Sequence, residues 1–534
     1  MKRLYILWGV LAGAATLQAQ EPEKTEAQLD RTVVVENLYN PDIMNANKIS
    51  ITPTLEEPQI PKKQIEYDMA TKPSARFGFD PMNSFGQLPQ LPDAKRGYLR
   101  LGYGNRGNAD ARLSYRFDLG ERDEVKANVA FRGMDGEVDL PAGIKPEEWD
   151  ARSYRTGADA DWTHRFDSFR LKVNADGENQ VFNTIWGTHR HNLMGGLRAT
   201  LATEDDKASI RWNAGMGLQY GAQMHAPLAG GNRGKAAETL VRTHAEAIGD
   251  INGQSRVFLG VQMDNFFNKG LGKDYISLQL NPAFLTGLEA WKLRLGMHVD
   301  FQFGMGKKLQ VAPDVMGAYT LAKGYELYVQ ATGGRRINDF RTLNRLSAYT
   351  PVYIGAENTY TQLDGRFGLK AAPLNELEVE AYAGYGIVKD ELFGTPDGFV
   401  QDDGNTLYAG ATARYAWKDF FTTQASLQWN HWDSDVLELC PTLCPELAFR
   451  LMADVQPIDG LHITLNYDYE HRTRSKGMAR ADAVNNLGLK AGYDLLPNLT
   501  VYMQGDNLLN QKYWQSILHP AQGLNVLAGV SVGF

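Results

Sequence analysis

The sequence is poor in cysteine, in long apolar runs, in basic excess and in catalytic signatures. Its 534 residues include two cysteines, Cys440 and Cys444, in the segment CPTLC. A metal site there needs further ligands, and His431 is the nearest candidate. Two states stay open for the pair: a local disulfide, expected in an exported chain, or two free thiols, because the close spacing and Pro441 constrain the bridge geometry. Beyond the N-terminus no segment approaches 18 consecutive apolar residues, so no further transmembrane helix is predicted. The formal charge is −8, and loss of Lys2 and Arg3 with the N-terminal segment would take it to −10. An acidic chain without a basic face is a poor nucleic-acid binder. Gly-x-Ser-x-Gly, His-Glu-x-x-His and Walker A patterns are absent, and no nucleophile, base and orienting group can be assembled. The chain therefore reads as a non-enzyme with no cofactor. THRH (188–191) brings two histidines close in an expected loop, and NHWDSD (430–435) offers oxygen ligands of the kind Ca²⁺ takes. Solvated loops explain both segments more simply.

Residues 1–19, MKRLYILWGVLAGAATLQA, carry what export requires. Lys2 and Arg3 form a positive start, residues 4–16 a short apolar stretch, and Leu17-Gln18-Ala19 a small-residue cleavage site. Residues 20–96 contain EPEK, ITPTLEEPQIPKK and LPQLPD, and no helical period lasts. They read as an extended, Pro-rich periplasmic arm.

From Gly97 to Phe534 apolar and polar residues alternate with period two, the signature of strands with one apolar face. Ala111, Leu113, Tyr115 and Phe117 oppose Arg112, Ser114, Arg116 and Asp118. Val125, Ala127, Val129 and Phe131 oppose Lys126, Asn128 and Arg132. Leu295, Met297, Val299 and Phe301 oppose Arg294, His298, Asp300 and Gln302. Leu461, Ile463, Leu465, Tyr467 and Tyr469 oppose His462, Thr464, Asn466, Asp468 and Glu470. The segments exceed ordinary soluble strands and suit tilted membrane-spanning ones. Aromatics recur near segment ends, at Trp162, Phe166, Trp429, Tyr513 and Trp514, as interfacial girdles require. About 22 strands are predicted, within a range of 16–22. Short connections such as 204–206 and 457–459 follow even-numbered strands. Long ones (133–153, 177–190, 222–237, 335–357, 390–404, 433–446, 472–483 and 506–523) follow most odd-numbered strands. That asymmetry belongs to bacterial outer-membrane barrels. The expected fold is all-β: a transmembrane antiparallel up-and-down barrel over 97–534. Val526, Ala528, Val530, Val532 and Phe534 share a face of the last strand, and a terminal Phe534 on such a strand looks like an outer-membrane assembly signal.

NLTVYMQGDNLLNQKYW (498–514), followed by the final strand 524–534, resembles the carboxyl end of TonB-dependent receptors, with Asn507, Leu508, Leu509, Asn510 and Tyr513 matching the family motif. The style of the chain suggests a Bacteroidetes type. The arm at 20–96 is too short and Pro-rich for the family's plug, and VVVEN (33–37) is the nearest stretch to a TonB box. The resemblance implies a receptor-like barrel lacking the plug, lodged in outer-membrane lipid by the barrel assembly machinery. It also implies passage of a solute, with a TonB-type or other periplasmic or outer-membrane protein partner. The alternative is a non-transporting structural or accessory subunit of an outer-membrane complex.

Overall fold

A computed structural model describes residues 95–534 apart from 142–146, 206–207, 228–232, 271, 351–355, 396–397, 419, 434–444, 473–482 and 517. The expected export segment 1–19, the expected arm through residue 94, and Cys440 and Cys444 lie outside the described residues.

The first half of the barrel comprises β1 (Gly97–Gly104), β2 (Ala109–Asp118), β3 (Asp123–Asp139), β4 (Glu148–Arg165), β5 (Phe169–Asn183), β6 (His189–Thr203), β7 (Ile210–Pro227), β8 (Arg233–Asn252), β9 (Ser255–Lys269), β10 (Tyr275–Gly287) and β11 (Trp291–Phe303). The second half runs through β12 (Leu309–Ala322), β13 (Tyr325–Arg336), β14 (Thr359–Leu374), β15 (Leu377–Thr395), β16 (Gly398–Trp417), β17 (Phe421–Asp433), β18 (Pro445–Ile458), β19 (Leu461–Arg472), β20 (Val484–Leu496) and β21 (Leu499–Asp506). A two-stranded hairpin, β22 (Trp514–Ser516) and β23 (His519–Pro520), precedes the last barrel strand, β24 (Asn525–Gly533). An α-helix, α1 (Phe340–Leu346), sits in the connection between β13 and β14.

Excluding the hairpin, 22 strands form one antiparallel sheet, the upper end of the expected range. Each strand pairs with its chain neighbour, and β24 pairs with β1 from Tyr98↔Gly533 to Gly104↔Leu527. The sheet is therefore closed and leaves no edge. Phe534 completes the seam: Gly97 N donates to its carbonyl at 2.7 Å, and its own N donates back to Gly97 O at 2.9 Å.

The two faces are inverted relative to a soluble sheet. Leu113, Val129, Leu295 and Val530 are 42%, 46%, 47% and 40% exposed, and Tyr115, Val299 and Leu465 are half-buried on the same outward face. Asp264, Ser277 and Asp300 are wholly buried on the inward face. A closed wall that satisfies its backbone internally and turns its apolar side chains outward is matched to hydrocarbon. Trp162, Phe166, Trp417 and Trp429 are exposed near strand ends, where girdle aromatics belong. Tyr513 and Trp514, expected in the girdle, turn inward instead: Tyr513 packs with Val484 and Ala521, and Trp514 against a cluster at the barrel mouth. The reason is their place in a connection that folds back over the lumen rather than in a strand.

Connections on one end are uniformly short. The other end, the mouth, differs from expectation. Much of 133–153, 177–190, 222–237 and 390–404 is strand rather than loop, because β3, β4, β5, β7, β8, β15 and β16 continue past the apolar band. There both faces meet polar surroundings, so the period-two pattern fades while the backbone goes on pairing. His189 and His191 accordingly lie in β6, and His191 Nε2 meets Asn179 Oδ1 at 2.6 Å.

Candidate functional site

Among the described residues, two connections fold inward at the mouth. The first, between β13 and β14, carries α1. Asp339 caps the helix by accepting from Thr342 N at 2.8 Å, and Arg345 stands in its last turn, where positive charge suits the carbonyl end. The spacing of Phe340, Leu343 and Leu346 gives α1 one apolar face. Phe340 and Leu343 pack with Met194 of β6, Ala236 of β8 and Leu392 of β15, with Leu346 and Phe399 of β16 alongside. The helix therefore bridges the wall at β6–β8 and the wall at β15–β16. Polar ties fix its register: Arg341 to Asp176 at 2.6 Å, Asn344 to Gln180 at 3.2 Å, Asn192 to Asn344 at 2.7 Å, and Phe340 N to Glu238 Oε1 at 2.9 Å. Gly221 of β7 is required here, since a Cβ would collide with the Phe340 ring.

The second connection joins β21 to β24 and begins with the motif residues. Asn507 and Asn510 adopt positive φ, 46° and 50°, which Asn tolerates better than most residues. Asn507 Nδ2 donates to Gln511 O at 2.8 Å and Gln522 O at 2.9 Å, and Asn507 Oδ1 accepts from Gln511 N at 2.9 Å. Asn510 Oδ1 accepts from Leu524 N at 2.7 Å. Leu508 N donates to Leu487 O at 2.9 Å, while the Leu509 side chain is 53% exposed. Asn507 and Asn510 thus pinch the base of the connection, and Tyr513 beds its return. Their geometry is that of a staple, which presents the β22–β23 hairpin over the lumen.

The two connections meet in an aromatic knot. Tyr349 stacks on His519 with centroids 4.3 Å apart and contacts Phe182 at 4.6 Å and Trp149 at 5.9 Å. Met134, Val138, Leu140, Ala151, Ile185 and Leu518 complete the cluster. Burial holds the His519 imidazole down at about 4 and pushes the Tyr349 phenol up to about 12. His519 is neutral in the closed mouth at pH 7. Its folded value lies below the unfolded one near 6.5, so opening takes up a proton. The knot is therefore most stable above pH 6.5 and weakens as pH falls toward 4. The ceiling is about 3 kcal/mol, reduced because part of His519 reaches solvent. Near-ultraviolet circular dichroism of the folded barrel should lose aromatic signal across that window, and a His519→Phe variant should not. A flat wild-type response would remove His519 as the cause.

Beneath the knot and α1 lies a cavity of 430 Å³. Its wall is the inward face of β2–β6, from Arg112 through Arg132, Arg155 and Glu178 to Met194. Its roof is Arg341, Asn344, Arg345 and Tyr349 from the first connection and Gln515, His519 and Gln522 from the second. Arg155 pairs with Glu178 at 2.7 Å, and Arg132 reaches Asp110 at 3.8 Å. Asp159 accepts from Asn128 Nδ2 at 2.8 Å. A concave, mostly preformed space with a few convergent polar groups is the ordinary form of a small-molecule site. The motif residues do not line it; they position one of its roof segments. Sequence reading missed the wall residues because each is an ordinary inward-facing position, and it missed α1 because a short helix leaves little periodicity. The Asp339 cap followed by Phe340, Leu343 and Leu346 was the available signal.

No protein-family model matches the sequence, and no curated protein matches it. Solved structures share its fold. The ferric-catecholate import receptor Fiu from E. coli K12 aligns with a TM-score of 0.63 at 12% identity, covering 83% of this chain and 82% of that one. The FrpB iron transporter from Neisseria meningitidis aligns at 0.67 and 11%, covering 83% and 82%. The copper transporter OprC aligns at 0.62 and 12%, covering 82% and 81%. At such identities the likeness is one of fold.

Proposed function

We propose that this chain is an outer-membrane, TonB-dependent-receptor-like barrel of the Bacteroidetes type that lacks the plug and passes a small solute through its lumen. The observation that carries the reading is the cavity enclosed between the wall at β2–β6 and the two inward-folded connections. It stands at the end bearing the long connections, the extracellular side in barrels of this kind, where an incoming solute is first met. The three fold neighbours described above are named as an import receptor and two transporters, which supports passage and lends nothing to the accessory-subunit alternative. Residues 1–19 direct export, Phe534 is read by the assembly machinery, and the apolar exterior lies in outer-membrane lipid. The arm at 20–96 gates the lumen from the periplasm and is where a TonB-type partner acts. Cys440 and Cys444 sit in an extracellular connection, as a disulfide or as two thiols.

Planar-bilayer recording tests the reading. The intact chain should conduct weakly, and deletion of residues 20–90 should open a large conductance, as a wide barrel without filler allows. If both forms stay closed, passage through this lumen is refuted.

A further inference from the structure

We propose that the mouth cavity binds a small soluble oligo-anion, a molecule bearing two or more carboxylate or phosphate groups. The inference rests on the solute-passage reading for its biological setting and on strand register for its chemistry.

The register places Arg100 of β1 directly opposite Arg112 of β2, and Arg132 of β3 directly opposite Arg155 of β4. Like charges facing each other across a strand pair destabilise a sheet. This wall carries two such pairs side by side, and Arg132 lies in Coulombic reach of Arg100, Arg112 and Arg155 together. Compensation within the wall is partial. Asp110 serves Arg100 at 2.8 Å and Arg132 at 3.8 Å, and Glu178 serves Arg155. Asp176 is taken up by Arg341 from the roof. Among the described residues Arg112 and Arg345 have no carboxylate partner, and Arg112 Nε is buried without a hydrogen-bond acceptor.

Among the described residues, five arginines therefore face the cavity against three carboxylates, Asp159, Asp176 and Glu178. That excess stands in a chain whose net charge is −8, so it is local and runs against the composition. A general solubility role does not explain it, because the charge is turned toward the lumen rather than the outer surface. An anion bridging Arg112 on the wall and Arg345 on the roof would meet the buried Nε and relieve the Arg100–Arg112 repulsion. Asn108, Asn128, Asn344 and Gln522 surround the same space with amide groups for the remaining oxygens. The site faces the lumen rather than the lipid, so the ligand is soluble rather than a lipid headgroup.

The test uses the full chain in detergent, with citrate and pyrophosphate as probes and calorimetry at low ionic strength as the readout. At least one probe should bind, and the trication spermidine should not. Arg112→Gln should weaken binding by about tenfold or more, as loss of a charge-assisted contact does. The same change should leave the thermal midpoint unchanged or raise it, since it removes a like-charge pair. A purely structural arginine would give the opposite pattern. Arg345→Gln, on the exposed side of α1, should weaken binding without touching the wall. Lys172→Gln, on the inward face of β5 nearer the short-turn end, should leave it intact. The proposal is overturned if neither anion binds, if Arg112→Gln binds as wild type does, or if Lys172→Gln loses as much. Anion binding with both bilayer forms closed would keep this site and refute passage. An arm-gated conductance with no anion binding would do the reverse.

Discussion

Leu295→Arg is expected to destabilise the barrel by about 2–4 kcal/mol, the cost of a guanidinium near the middle of a hydrocarbon-facing strand. Leu295 is 47% exposed, and Met297 beside it on the same face is equally so. In a soluble protein such positions would accept a charge readily, so the sign of the effect reports the solvent. Val299→Arg should behave like Leu295→Arg. Asn466→Arg, on the inward face of β19 and half-buried, should cost far less. Gln302 faces inward too, and alternation alone predicts that it tolerates Arg. It is 3% exposed, however, so an added guanidinium has no room there and the substitution should be costly. Urea unfolding in lipid vesicles, followed by heat-modifiable gel mobility, gives the ranking. Equal tolerance at Leu295 and Asn466 would mean that the faces are misassigned.

The barrel was legible because lipid imposes one rule on every strand: apolar outward at every second residue, for a length set by the membrane. Leu113 and Arg112, or Val530 and Ser531, declare their faces without any tertiary information. The closing seam was partly legible as well, since Phe534 ends an amphipathic strand. What lay beyond the apolar band was not. Val138 and Trp149 at the tips of β3 and β4 bury themselves against Tyr349 and Leu518, partners more than a hundred residues away that no local period records. The cavity depends on register for the same reason. Arg112 and Arg132 look like scattered wall charges until pairing sets Arg100 against Arg112 and Arg132 against Arg155. The motif Asn507–Tyr513 was visible as a pattern, but its work, pinching a connection through positive-φ asparagines, is seen only in the backbone.

The glycine content conceals a second device on the inner wall, and it yields the other large expected effect. Tyr408 of β16 is paired with Gly384 of β15 and lies flat across it to reach β14, where its hydroxyl donates to Asp364. Arg366 of β14 stacks on the Tyr408 ring at 5.2 Å and on the Tyr382 ring at 4.6 Å. The arrangement repeats along the wall: Tyr328 crosses Gly368 to Glu380 at 2.6 Å, and Tyr382 crosses Gly410 to Gln428 at 3.4 Å. Each ring ties three consecutive strands, which a cross-strand pair alone cannot do. A Cβ at Gly384 would fall onto the Tyr408 ring and within 2.6 Å of Gly365 O. Gly384→Ala should therefore displace the ring and strip Asp364, 3% exposed, of its donor. Overpacking and a buried carboxylate left unsatisfied together should cost about 3–4 kcal/mol. Gly386→Ala, where the nearest atom is Thr406 O at 3.9 Å, should change stability by less than about 0.5 kcal/mol. Tyr408→Ala removes the ring collision in advance and leaves only the one with Gly365 O, so adding Gly384→Ala to it should cost less than Gly384→Ala costs alone. Strict additivity of the two in urea unfolding would show that the ring and the glycine do not act as one joint.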